Sequence, residues 1–243
     1  MAMRAISRVA LQRELKEAGT PARAAGATRY FKTGEGEYGA GDIFLGVTVP
    51  AMRKIALQHR SMKLEDLQLL LESNVHEHRA AALEILVAQY KRGDEEQRRR
   101  IFDFYLSNTH CVNNWDLVDA SCRGIVGEHL RTRPRKLLDK LARSKSLWER
   151  RIAMVSTMPL VWAGETEDAL RIAEVLLDDE HDLIHKAVGW LLREVGDEDQ
   201  TALMNFLKKH YERIPRTALR YAIEHFPTEE RKKMLKGKFT DLS

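Results

Sequence analysis

Apolar residues recur at the period of an α-helix along almost the whole chain. Leu83, Leu86, Val87 and Tyr90 keep the i, i+3, i+4, i+7 spacing, and Ala169, Ile172, Ala173, Leu176 and Leu177 do the same. Short polar breaks separate such segments: Arg92-Gly93-Asp94, Thr132-Arg133-Pro134, Gly164-Glu165-Thr166, Gly196-Asp197-Glu198 and Phe226-Pro227-Thr228. Several put Asp, Thr or Pro where a new helix would begin. The pattern predicts about a dozen helices and no strand, an all-α chain. Thr33 to Thr48 is the exception, since it holds Gly34, Gly36, Gly39, Gly41 and Gly46 before Val49-Pro50 opens a new helix. It lacks the Gly-Lys-Ser/Thr ending of a phosphate-binding loop and is expected to be a mobile connection.

The helices repeat. Arg79-Ala80-Ala81-Ala82-Leu83 resembles Arg151-Ile152-Ala153-Met154-Val155 and Lys186-Ala187-Val188-Gly189-Trp190, with starts 72 and then 35 residues apart. The first gap is close to two steps of about 36, and one step beyond Arg79 lands on Trp115. A weaker echo is Arg216-Thr217-Ala218-Leu219. Antiparallel helix pairs at this period predict an α-solenoid of HEAT type whose second helices line a concave surface, a concave basic face if Lys186, Arg193, Arg123 and Arg151 gather there. We expect a single repeat domain over residues 1–243, with N-terminal helices and the glycine-rich loop in 1–50 and a solvated basic tail in 228–243.

Some large or charged residues leave the apolar faces. In Asp182–Val195 the arc is Leu183, Ile184, Ala187, Val188, Leu191, Leu192 and Val195, while Trp190 shares another stripe with Lys186 and Arg193. That tryptophan is either a rim residue covered by Lys and Arg stems or a ligand contact. After Asn113-Asn114, a pair suited to cap a helix, Leu117, Val118, Ser121, Cys122 and Ile125 form a core side. Trp115, Asp119 and Arg123 form a separate stripe at i, i+4, i+8. Asp119 could pair with Arg123 and Trp115 could pack on a neighbouring helix. Arg151 falls among Leu147, Trp148, Met154, Val155 and Met158, where a guanidinium needs a carboxylate, carbonyls or a bound anion. Stacked repeats are expected to bring these positions, 36 and then 39 residues apart, into one cleft.

Composition narrows the classes. The 243 residues are 44% hydrophobic and 31% charged, which excludes disorder as the dominant state. With only 14 Gly and 6 Pro, a sheet-rich fold with many tight turns is disfavoured. No window approaches the roughly 18 apolar residues of a membrane span. Cys111 and Cys122 are too few for a disulfide scaffold and read as small buried residues of a reduced compartment. Met1 to Leu15 carries Arg4, Arg8 and Arg13, as a transit peptide would, but Glu14, Lys16 and Glu17 continue the same pattern and a first structural helix is expected. The net charge of +4, from 40 basic and 36 acidic residues, is informative only if the basic residues gather on one face.

Two indole faces and a carboxylate framed by Arg and Lys suit a cation held beside a polyanion. Basic side chains would contact phosphates without regard to sequence, and each indole would attract positive charge by about 0.5–2 kcal/mol. Asp119 could stabilise a developing oxocarbenium ion and orient a water at the same carbon. Alkylation at N3 or N7 makes a purine a cationic leaving group, so cleavage of its N-glycosidic bond fits this equipment. His76 and His78 lie two apart, but the nine histidines give no strong metal-ligand constellation.

Asn113-Asn114-Trp115-Asp116-Leu117-Val118-Asp119, Trp148-Glu149-Arg150-Arg151-Ile152-Ala153 and Lys186-Ala187-Val188-Gly189-Trp190-Leu191-Leu192-Arg193-Glu194 resemble the AlkD family of DNA alkylation repair glycosylases. Arg29-Tyr30-Phe31-Lys32 and Phe44 to Arg53 are similar to that family's N-terminal pattern, and the resemblance spans roughly residues 20–225. It implies a HEAT-like solenoid that binds duplex DNA on its concave face and releases N3- and N7-alkylated purines without base flipping. By the same resemblance Asp119 is the catalytic carboxylate, Trp115 and Trp190 contact the lesion site, Arg151 belongs to the active cleft and Tyr30 lies near the DNA. Arg123, Lys186 and Arg193 are expected DNA contacts. The expected partner is duplex DNA carrying alkylated purines, with no membrane, metal or small-molecule cofactor, and the protein is expected to be a cytoplasmic, nucleoid-associated monomer. Asn114 stands where some relatives have a second tryptophan, and the loop Thr33 to Asp42 is longer than the pattern implies. The alternatives are a non-catalytic HEAT module that binds DNA structures, or a protein-interaction solenoid.

Overall fold

The structure is a computed structural model that describes residues 7–239. Its described residues form sixteen α-helices and no strand, as the apolar period requires. They divide into two compact units, Met1–Ile125 and Val126–Ser243. Among the described residues, no helix is long and apolar enough to cross a membrane.

The first unit holds α1 (Arg8–Ala18), α2 (Pro21–Tyr30), α3 (Val49–Gln58), α4 (Leu64–Leu71), α5 (His76–Arg92), α6 (Glu95–Ser107) and α7 (Trp115–Cys122). Ser7 starts α1 by accepting the Ala10 N–H at 3.2 Å, and Asp94 starts α6 by accepting that of Gln97 at 2.8 Å. The Met1–Leu15 segment is therefore helical from Arg8, while Arg4 lies outside the described residues. Helix α5 is the centre of the unit and packs against α1, α3, α4, α6 and α7. It buries Ala81, Ala82, Leu83, Ile85 and Leu86, with Leu67, Leu70 and Leu71 of α4 beside them. Truncating one of these leucines to alanine would cost about 2–5 kcal/mol, because a packed interior closes a cavity only in part.

The second unit holds α8 (Glu128–Leu130), α9 (Lys136–Ala142), α10 (Leu147–Val155), α11 (Met158–Val161), α12 (Glu167–Val175), α13 (Asp182–Glu198), α14 (Gln200–His210), α15 (Arg216–Ala222) and α16 (Thr228–Met234). Here α13 is central, against α10, α11, α12, α14 and α15. Its buried side is Ile184, Ala187, Val188, Leu191, Leu192 and Val195; Leu183, at the edge of the expected arc, is half-buried. Gly189 completes that side, since a Cβ there would lie 2.5 Å from the Ala218 carbonyl oxygen of α15. The two helices meet backbone to backbone at this glycine. Arg135 bonds Asp168, and Arg171 bonds both Asp139 and Asp168, which ties α9 to α12.

Two segments differ from expectation. Residues 228–239 are not a free tail, because α16 buries Met234, and Phe239 packs edge-on against Tyr211 at 5.5 Å. Lys232, Lys233, Lys236 and Lys238 are exposed, as a solvated run would be. The second half of the glycine-rich stretch is fixed in place: Ile43 pairs in parallel with Val75, and Gly46 takes φ +75°. The Gly46 carbonyl accepts from Arg23 Nε at 2.7 Å and from the Thr20 N–H at 3.3 Å. A Cβ at Gly46 would strike Thr20 O and Ala24 N at 2.4 Å, so this approach needs glycine.

Candidate functional site

In the first unit the site grows from the start of α7. Asn114 takes an extended conformation, and its buried side chain accepts the Trp115 N–H at 2.8 Å, as the Asn pair suggested. Asp116 accepts the Leu117 N–H through Oδ1 at 2.9 Å. Leu117, Val118, Ser121 and Cys122 then face the interior, which leaves half-buried Trp115 and Asp119 one turn apart on another side. Arg123 opens a π-helical turn, Arg123–Gly127. The regular 100° spacing assumed for the Trp115, Asp119, Arg123 stripe therefore ends at Arg123, because a π turn holds more residues than an α turn.

Trp115 sits in an aromatic cluster. Its ring stacks on Phe31 at 5.5 Å and meets Tyr30 edge-on at 5.8 Å. Phe31 stacks on Phe44 at 5.1 Å and lies 5.0 Å from the His76 ring, which stacks on Phe44 at 4.7 Å. Tyr30, at the last position of α2, is 65% exposed, so it lines the cluster without closing it.

Under this cluster lies the first turn of α5, where His76, Glu77, His78 and Arg79 are four consecutive buried ionisable residues. Each has a built set of partners, as burial of such groups demands. His76 meets Asp42 Oδ2 through Nδ1 at 3.1 Å and Asp116 Oδ2 through Nε2 at 2.8 Å. The Glu77 carboxylate accepts the N–H groups of Leu45, Gly46 and Val47. His78 meets Ser73 Oγ at 2.9 Å. Arg79 donates to Asp42 Oδ1 and to the Ser73 carbonyl, both at 2.7 Å. Burial opposes the charge on His76, but hydrogen bonds from its ring to Asp116 and Asp42 outweigh it and raise its pKa to about 9. Asp42 is also opposed by burial, and the hydrogen bonds from His76 and the charge of Arg79 hold it below the usual carboxylate range.

In the second unit, α10 and α13 carry the other expected residues. Arg151 is buried and donates through Nη1 to the carbonyl of Leu183, one of the partners a core guanidinium was expected to need. Half-buried Trp190 donates its indole N–H to Glu194 Oε1 at 3.0 Å, one turn along α13. Trp162, just past α11 and 54% exposed, donates its own to Glu194 Oε2 at 3.2 Å. One carboxylate thus holds two indoles. Lys186 pairs with Asp182 at 2.8 Å, and Arg193 reaches both Glu224 and Glu194. Expected as phosphate contacts, these two cations are already in ion pairs; Lys186 also holds Asp182 at a lowered pKa through its hydrogen bond.

The fold therefore brings Tyr30 to Trp115, sets Asp119 on the same helix, and joins Arg151 to the helix that bears Lys186, Trp190 and Arg193. Sequence reasoning missed Phe31, Asp42, Phe44, His76, Asp116, Trp162 and Glu194. Residues 11–226 match the DNA alkylation repair enzyme family. The chain belongs to that family. Its AlkD-like motifs are thus embedded in a match that covers most of the sequence. Membership makes this an enzyme of DNA repair with DNA as its substrate. Among solved structures, one described as a predicted DNA alkylation repair enzyme from Enterococcus faecalis aligns with a TM-score of 0.68 at 18% identity, over 86% of this chain and 97% of that one. That similarity establishes the shared all-α fold. Smu.31 from Streptococcus mutans aligns over 97% of this chain and 99% of that one, at 17% identity and a TM-score of 0.48. No curated protein sequence matches.

Proposed function

We propose that the protein is a monofunctional DNA glycosylase that hydrolyses the N-glycosidic bond of N3- and N7-alkylated purines in duplex DNA without flipping the base. The observation that carries this reading is the first two turns of α7, where Asp119 shares a face with Trp115 and Trp115 is packed by Tyr30 and Phe31. As the bond from C1′ to the purine nitrogen breaks, its electron pair leaves with the cationic base, which departs neutral. Positive charge then develops on the sugar, where the Asp119 carboxylate stabilises it and orients the water that adds to C1′. The water's proton passes to Asp119 or to solvent. Trp115 and Tyr30 offer π faces to the cationic base or sugar.

In the second unit, Arg151 and Trp190 would act on the backbone beside the lesion, with Lys186 and Arg193 as phosphate contacts and Arg123 serving the same end in the first unit. Lys186 and Arg193 would have to exchange carboxylate partners for phosphates. Binding should accordingly weaken steeply with salt. The test is release of 7-methylguanine or 3-methyladenine from methylated duplex DNA. Wild type should release base, and Asp119→Asn should be slower by about 10²–10³-fold, the usual loss on removing one electrostatic stabiliser. Equal rates would remove Asp119 from the mechanism. Salt-sensitive binding with no release by wild type would replace the enzyme with a DNA-binding module.

A further inference from the structure

We infer that His76 is a positioning residue: a doubly protonated imidazolium latch that fastens the Asp42 segment and the aromatic cluster to the start of α7, and so sets Trp115. The argument begins with hydrogen counting. Both ring nitrogens of His76 face carboxylate oxygens, Asp42 Oδ2 at 3.1 Å and Asp116 Oδ2 at 2.8 Å. A neutral imidazole carries one N–H and would turn a lone pair toward one of those oxygens; only the imidazolium donates to both. The charges also balance. His76 and Arg79 are the cations of this cluster, and Asp42 and Asp116 its anions. Losing the His76 proton would leave two carboxylates with one guanidinium in a largely buried place. The remaining ionisable neighbours on α5 are engaged elsewhere, Glu77 with the N–H groups of residues 45–47 and His78 with Ser73.

The latch joins three stretches of chain. Asp42 comes from the glycine-rich stretch, His76 from α5 and Asp116 from α7, next to Trp115 and three residues before Asp119. The imidazolium also lies against Phe31 and Phe44, whose π faces favour a cation. Phe31 in turn stacks on Trp115. His76 therefore reaches Trp115 by two routes, through the Asp116 backbone and through the Phe31 ring. The raised proton affinity of His76 agrees with this geometry.

The role in catalysis rests on the glycosylase reading, but the latch does not. The experiment is NMR of the full chain. Histidine ring signals give the titration of His76, assigned with His76→Gln, and the four tryptophan indole N–H signals are assigned with Trp→Phe variants. His76 should titrate near 9. His76→Gln should move the Trp115 signal and leave those of Trp162 and Trp190 in place. His76→Phe, which keeps a ring but no donors, should not restore it. If wild type releases alkylated base, His76→Gln should slow single-turnover release by about 10- to 100-fold, the usual cost of a misplaced reacting group, with DNA affinity within about twofold. Titration near the ordinary 6.5, an unmoved Trp115 signal, or full rescue by His76→Phe would each overturn the latch. Should His76→Gln fail to fold, the His76 ring signals are assigned through their own backbone in wild type, and the wild-type titration decides. Absence of base release by wild type would count against the glycosylase reading, and the NMR result would still stand.

Discussion

The two units each present a half-buried tryptophan, and they hold it by different physics. Trp115 is fixed through its ring, stacked on Phe31 in a cluster built around a charged histidine. Trp190 is fixed through its edge, by one hydrogen bond to Glu194 on the same helix. The first arrangement draws on three distant stretches of chain and on buried charge, whereas the second needs only a neighbour one turn away. Position of Trp115 should therefore respond to pH and to mutations far off in sequence. Position of Trp190 should respond to its own helix.

Asp42→Ala attacks the contrast where it is strongest. It removes the shared partner of His76 and Arg79, whose side chains are both buried, and leaves two cations with the single carboxylate of Asp116, which meets only His76. Breaking such a network costs about 3–5 kcal/mol. Urea unfolding should report that loss, and a cost below about 1 kcal/mol would show that the network is not what holds the first unit together. A milder perturbation is pH. His76 keeps its proton to about 9 when folded but only to 6.5 as a free side chain. The folded state thus holds the extra proton between those values, so this contribution is complete below 6.5 and is lost as pH rises through 9. The rise corresponds to on the order of 3 kcal/mol. Stability measured by urea at pH 6.5 and at pH 9.5 should fall accordingly in wild type and stay nearly flat in His76→Gln. Parallel slopes in the two proteins would assign the pH dependence to other groups.

Gly189→Ala probes the second unit. The new methyl would meet the Ala218 carbonyl oxygen at 2.5 Å, a backbone atom that cannot swing away. Prising α13 from α15 should cost about 1–3 kcal/mol by overpacking. Because Trp190 is anchored within α13, its indole N–H signal should move less than the stability does. A Trp190 signal that shifts as far as it does on loss of Glu194 would show that α15 also positions the ring.

How much of this was legible in the sequence follows from the range of each interaction. The helices and the interior side of α13 were readable because a 3.6-residue period is local; Ile184, Ala187, Val188, Leu191, Leu192 and Val195 are buried as the arc required. Asn114 as the cap of α7 was readable for the same reason. The His76 cluster was not. His-Glu-His-Arg at a helix start reads as a polar, solvated turn, and its partners Asp42 and Asp116 lie 34 and 40 residues away. The glycine-rich stretch misled likewise, since its glycines signal turns but not the Glu77 carboxylate that gathers the N–H groups of residues 45–47. The π turn Arg123–Gly127 was not legible either, because an apolar period does not mark where one turn takes an extra residue. Half of the Glu194 arrangement was within reach, because Trp190 and Glu194 are i and i+4, while its second indole, Trp162, comes from the end of α11, 32 residues away.

That shared carboxylate gives the smallest of the expected effects and the finest test of the contrast. Glu194 accepts Trp190 on Oε1 and Trp162 on Oε2. Glu194→Gln keeps the shape but has one acceptor oxygen and one amide nitrogen, which cannot accept. The amide can serve only one indole, and the charge that Arg193 faces disappears. Both groups are near solvent, so water can take the vacated place and the cost should be about 0.5–1.5 kcal/mol. One of the two indole N–H signals should move to a water-exposed position and the other should stay. If Trp190 keeps the oxygen, its ring is held by α13 alone and Trp162 follows passively. If Trp162 keeps it, the exposed indole competes for the same anchor, and the local hold on Trp190 is weaker than its i, i+4 spacing suggests. Two unmoved signals would mean that packing, not the carboxylate, orients both rings, and the difference between the two units would reduce to the buried charge around His76.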